Sequence, residues 1–171
     1  LGLRKLEARE ISEVLSSSNP QSDQVQKFLN FYNQGQFTKA LEQAWTFTQQ
    51  FSGSFVAWNL LGAAQKALDR TDEASKAFEK VTELNPNYPD GFNNFGVTLT
   101  EQGKNDEALE AFHQAIKIKP DYAEAYMNMG NALTKKGEVD AAIESFKNAI
   151  KIKPDYHQAY SNLGAALIDK D

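Results

Sequence analysis

The chain has 171 residues, with 18 Lys and Arg against 23 Asp and Glu and a formal charge of −5, so it can bury a sizeable core but lacks the basic surplus that nucleic acid demands of a main partner. With no cysteine, a disulfide framework, a thiolate metal site and a thiol nucleophile are excluded, and His113 and His157 are the only imidazoles. No run approaches the ~18 apolar residues of a membrane span, and the sequence opens at Leu1 without a charged, then apolar, then small-residue leader, which predicts neither a membrane partner nor a signal peptide and points to the cytoplasm.

In chain order, residues 1–20 come first: Leu3, Leu6, Ile11, Val14 and Leu15 have the spacing of an amphipathic helix, stopped by the serines before Asn19 and Pro20, and are read as an N-terminal helix or linker. From residue 21 a period of 34 governs the chain. Phe92 aligns with Tyr126, Gly96 with Gly130, Gly103 with Gly137, Ala108 with Ala142, Phe112 with Phe146 and Pro120 with Pro154. One step back gives Trp58, Gly62, Ala74, Phe78 and Pro86, and one step forward gives Tyr160 and Gly164. The organisation is a degenerate repeat at 21–54, full repeats at 55–88, 89–122 and 123–156, and a repeat cut to its first helix at 157–171.

Within a repeat, apolar residues at places four, seven, eight and eleven, as in Tyr126, Met129, Gly130 and Leu133, fall on one helical stripe. Ala142, Ile143, Phe146, Ala149 and Ile150 mark a second helix. Between the two, Gly35, Gly103 and Gly137 suit a left-handed C-cap, and Asp69 takes that place in the second repeat. Pro86, Pro120 and Pro154 end the second helices. Asp121 with Glu124 and Asp155 with Gln158 read as capping boxes, and Asn87 with Asp90 as a weaker one.

The aromatic, apolar, Gly, apolar, then Ala, Phe, Ala and Pro succession, for example Tyr126, Met129, Gly130, Leu133, Ala142, Phe146, Ala149 and Pro154, resembles the tetratricopeptide repeat (TPR) motif. The resemblance is close from Phe55 to Asp171 and loose from Gln21 to Ser54. It implies an all-α fold, a right-handed helical solenoid of antiparallel helix pairs whose first helices line a concave groove. Broken by Gly and Pro every half repeat, the pattern does not suit a coiled coil.

Places two, six, nine and thirteen lie opposite the core stripe of each first helix and face that groove. They are Asp90, Asn94, Val97 and Glu101, then Glu124, Asn128, Asn131 and Lys135, then Gln158, Asn162, Ala165 and Asp169. Asn94, Asn128 and Asn162 form a ladder at the 34-residue period, which the second repeat breaks with Leu60 while carrying Asn59 one place earlier. An amide donates and accepts, as recognition of a peptide backbone requires. The ladder resembles the asparagine ladder of O-GlcNAc transferase TPR regions, a family that binds extended polypeptides through amide contacts to their backbone. Asparagine is also common at this place in TPR sequences generally, so repeat ancestry stands beside the functional reading. The groove lacks the Lys and Arg clamp of the chaperone-binding subclass, and Asp90, Glu101 and Glu124 favour a neutral or basic segment.

No phosphate-binding loop, dinucleotide fingerprint, H-E-x-x-H or G-x-S-x-G motif occurs, so no catalytic residue, cofactor or metal is expected, and His113 and His157 read as exposed or junction residues. Lys117, Lys119, Lys151 and Lys153 complement the ends of second helices.

In the leading repeat, Phe28 stands where a small residue belongs and Ser52 where proline belongs, amid an aromatic cluster with Phe31, Tyr32, Phe37, Trp45, Phe47 and Phe51 that reads mainly as core and secondarily as an exposed patch. Tyr160, Leu163, Gly164 and Leu167 lack a covering second helix, which suggests that the natural chain continues. The reading is a protein-interaction module that binds a protein or peptide segment in its groove. The alternatives are a substrate-recognition or assembly arm of a glycosyltransferase- or sulfotransferase-like enzyme, and a scaffold that forms homo-oligomers through exposed solenoid ends.

Overall fold

Every apolar stripe that the period generates needs a second stripe to cover it, and within each repeat the second helix folds back on the first to supply it. The computed structural model describes residues 18–170, and the amphipathic segment expected in residues 1–17 lies outside them. Among the described residues the regular structure is nine α-helices with no strand. They are α1 (Ser22–Asn33), α2 (Phe37–Gln50), α3 (Phe55–Lys66), α4 (Thr71–Leu84), α5 (Pro89–Glu101), α6 (Asn105–Ile118), α7 (Ala123–Lys136), α8 (Val139–Ile152) and α9 (His157–Ile168). The fold class is all-α, built from antiparallel helix pairs, and the chain divides into two compact units after Leu84.

The turns inside the pairs are left-handed where expected. Gly35, Gly103 and Gly137 have φ of 71°, 77° and 83°, and Asp69 adopts the same conformation at φ 57° without a different turn. The second helices end at Leu84, Ile118 and Ile152, just ahead of Pro86, Pro120 and Pro154.

The helix starts differ from expectation. The capping boxes at Asp121 and Asp155 do not form, because the chain enters α7 and α9 through Tyr122 and Tyr156, whose bulk is held by packing and whose side chains make no capping bond. α5 likewise begins behind Tyr88, with Pro89 in its first turn, so Asn87 and Asp90 do not form a box. Lys119 and Lys153 sit over the rings of Tyr122 and Tyr156, 4.6 and 4.9 Å from the centroids, rather than acting on the helix ends alone. A side-chain cap does occur at α3, where the Ala57 N–H donates to Ser54 Oγ at 3.2 Å.

In residues 18–84 the core gathers Phe28, Ala40, Ala44, Phe47, Leu61 and Ala64. Phe28 packs fully, stacked on Tyr32 at 5.8 Å between centroids, with Tyr32 edge-on to Phe37 at 5.3 Å. Of the leading aromatics, Trp45 alone stands well out, 56% exposed, so the cluster is core with one exposed ring. In residues 85–170 the core runs from Leu99, Ala108 and Phe112 through Leu133, Ala142 and Phe146 to Ala166. Leu163 is partly buried against it, contrary to the expectation of an uncovered side chain, whereas Tyr160, Leu167 and Ile168 of α9 are exposed.

Close approach explains one glycine place. A Cβ on Gly96 would stand 2.7 Å from the Phe112 ring, and one on Gly130 would stand 2.4 Å from the Phe146 ring. In these repeats the second helix thus inserts its phenyl ring where the first helix has no side chain.

Candidate functional site

The face of α5, α7 and α9 opposite that insertion carries the groove stripe, and it bounds a cavity of about 400 Å3. Asn128, Asn131 and Lys135 reach it from α7, Asn162 from α9 and Glu101 from α5. Asn94, Asp90 and Glu124 do not line it. Glu124 faces a separate cavity of about 320 Å3 with Tyr122, Lys153 and Tyr156.

The amides are half-buried and already engaged with one another. Asn128 Nδ2 donates to Asn93 Oδ1 at 3.0 Å, and Asn162 Nδ2 donates to Asn131 Oδ1 at 2.7 Å, so the ladder rungs are bonded across neighbouring first helices. Asn131 Nδ2 in turn donates to the Met127 thioether at 3.2 Å. A thioether can only accept, so Asn131 must turn its nitrogen to the sulfur and its oxygen to Asn162. Asn162 must then donate, which directs its own oxygen away from Asn131. Lys135 Nζ donates to the Thr100 carbonyl at 3.3 Å, a second bond to an acceptor at the end of α5 that the Gly103 N–H already meets at 3.2 Å.

Asp90 is bonded on the same unit. The Tyr122 hydroxyl donates to Asp90 Oδ1 at 2.6 Å, and the Tyr122 pKa is raised well above the ordinary phenol value, first by burial and then by this bond and the Asp90 charge. Burial, helped by Asp90, raises Tyr88 as well.

Sequence reasoning missed Asn93, which is 2% exposed and anchors the Asn128 rung. A signal existed, since Asn59 and Asn93 are themselves 34 apart and sit one place before the ladder. Met127 has that place in the next repeat, where its sulfur holds Asn131 instead. The described residues include no group of three His, Asp or Glu side chains able to hold a metal ion, and no helix among them is long and apolar enough to cross a membrane.

Family models described as tetratricopeptide repeat match residues 55–88 and 77–110, and one described as TPR repeat matches 96–137 and 130–170. The chain carries tetratricopeptide repeats. No curated protein matches it. Among solved structures, these TPR helices are similar to a crystal structure of MamA at 28% identity and TM-score 0.72, over 85% of this chain and 86% of that one. They are also similar to MamA from residue 41 to its end from Desulfovibrio magneticus RS-1, at 21% identity and TM-score 0.77, over 89% and 88%. The first TPR of Spaghetti (RPAP3), bound to the HSP90 peptide SRMEEVD, is similar at 17% identity and TM-score 0.65, over 67% and 91%. These last two likenesses concern the fold alone.

Proposed function

We propose that the chain is a non-enzymatic, cytoplasmic protein-interaction module that holds an extended peptide segment along its first helices. Asn128, Asn131 and Asn162 form the centre of the site, Glu101 and Lys135 its charged rim, and Asn94, Asp90 and Glu124 its continuation along the stripe. The observation that carries the reading is the meeting of half-buried amides from α7 and α9 at one apolar cavity. The resemblance of the ladder to O-GlcNAc transferase repeats supplies the binding mode, amide to backbone, independent of the ligand's side chains.

The test is a comparison of two triple variants on one peptide panel with melting curves alongside. Changing Asn94, Asn128 and Asn162 to alanine should weaken many ligands alike, by about 0.5–1.5 kcal/mol for each lost neutral bond. It should also lower stability by about 1–3 kcal/mol, because Asn128→Ala strips the buried Asn93 oxygen of its donor. Reversing Asp90, Glu101 and Glu124 to lysine should shift preference toward acidic segments in a salt-dependent way. If the folded alanine variant binds every peptide normally, the ladder is repeat ancestry.

A further inference from the structure

The amides at the groove differ in what their bonds inside the chain leave uncommitted. A carboxamide has two N–H donors and one oxygen acceptor. Asn162 Nδ2 spends both donors internally, on Asn131 Oδ1 at 2.7 Å and, more weakly, on the Met127 thioether at 3.9 Å. Its oxygen is what remains for a ligand. Asn128 donates once, to Asn93 Oδ1 at 3.0 Å, and keeps one N–H beside its oxygen. The direction at Asn162 is set by Met127. Sulfur accepts and never donates, so Asn131 gives it an N–H at 3.2 Å and turns its own oxygen to Asn162. Without the sulfur, the two amides could exchange the roles of donor and acceptor. Met127 is 6% exposed and does not line the cavity, so its influence on a ligand passes through the pair.

We infer that Asn162 is an acceptor-only rung, which binds the segment through one backbone N–H and discriminates against a residue without one, such as proline, and that Met127 is the positioning residue that fixes this preference. The inference rests on the peptide-groove reading and deepens it, since an amide with donor and acceptor both open would take an N–H or a carbonyl alike. A ligand oxygen set against the Asn162 oxygen forgoes a hydrogen bond and meets a like partial charge.

Backbone ester substitution isolates this preference, because an ester keeps the shape of the peptide link while replacing its N–H by oxygen. The probe is the tightest dodecapeptide selected on the whole chain from a random displayed library, resynthesised with each peptide link in turn as an ester and titrated with melting curves of every variant alongside. On the wild-type chain one ester should weaken binding about three- to tenfold through Asn162. In Asn162→Ala the same ester should cost less than about twofold, because the acceptor it failed to meet is gone. Met127→Leu keeps the apolar volume and should bind the unmodified peptide within about twofold of wild type. Its ester penalty should also fall below about twofold, since the released pair can turn an Asn162 N–H to the ester oxygen. A methionine that only filled space would leave that penalty unchanged. No ester whose cost depends on Asn162, or a full penalty in folded Met127→Leu, overturns the inference, and the groove stands if the dodecapeptide still loses affinity in the Asn94, Asn128 and Asn162 alanine variant. A selected peptide indifferent to that folded variant, or a library that yields no binder, overturns the groove and the inference with it.

Discussion

The leading repeat and the repeats that follow solve one packing problem from opposite sides. In residues 89–156 the first helix offers Gly96 or Gly130 and the second inserts Phe112 or Phe146. In residues 21–54 the aligned places are Phe28 on the first helix and Ala44 on the second, and both are buried in one core. The ring has changed helices. What looked like a lost small residue is half of a compensated exchange, since packing constrains the summed volume between two helices and leaves open which one supplies it. The junctions differ in the same way. Ser54 ends the leading repeat with a side-chain cap and a 2.6 Å bond to Asn19, while Tyr122, at the matching place two repeats on, makes no cap and sends its hydroxyl to Asp90.

The largest effects should come from the exchanged ring. Phe146→Ala and Phe28→Ala should each cost about 3–5 kcal/mol in denaturant melts, equal losses from opposite helices. Gly130→Phe alone should also be severe, because even its Cβ would stand 2.4 Å from the Phe146 ring. Combined with Phe146→Ala it reproduces the leading arrangement, and the double variant should recover about 1–3 kcal/mol relative to the sum of the singles. Additive losses would break the idea that the two arrangements are equivalent.

Intermediate effects belong to the junctions. Ser54→Ala should lower stability by about 1 kcal/mol with little pH dependence, as the loss of a cap does. Tyr122→Phe should cost a similar amount, about 1 kcal/mol, at neutral pH, and change the alkaline limb of the stability curve. Tyr122 holds its proton more tightly folded than unfolded, so it contributes stability below about pH 10 that is lost as pH rises toward its raised folded value. Melts of the two proteins from pH 8 upward should therefore converge, and parallel curves would show that folding does not raise the Tyr122 pKa.

The smallest effect sharpens the comparison of the turns. Gly35 opens the leading turn where Asp69 serves the next repeat, both at positive φ. Asp69→Gly should stabilise by about 0.5 kcal/mol by relieving the left-handed strain of a side-chain-bearing residue. A loss of stability in the same melts would mean that the aspartate side chain supports its turn.

Periodicity alone was sufficient for the helix pairs, their glycine turns and their proline stops, because those depend on local backbone preferences and on which residues share one helical face. The recurrence of Asn94, Asn128 and Asn162 at a fixed place could be read in the same way, though the structure brings only Asn128 and Asn162 of the three to one cavity. Junction capping was misread because Asp121 and Asp155 have the right local chemistry, while packing of Tyr122 and Tyr156 sets where the helices begin. Tertiary structure alone decided the rest. The Phe28 and Ala44 exchange joins residues on two helices, and the pairing of Asn128 with Asn93 and of Asn162 with Asn131 joins residues 35 and 31 apart. An amide in a sequence carries a donor and an acceptor alike. Only when neighbouring first helices come into contact does one of them take the nitrogen and leave the oxygen to the groove.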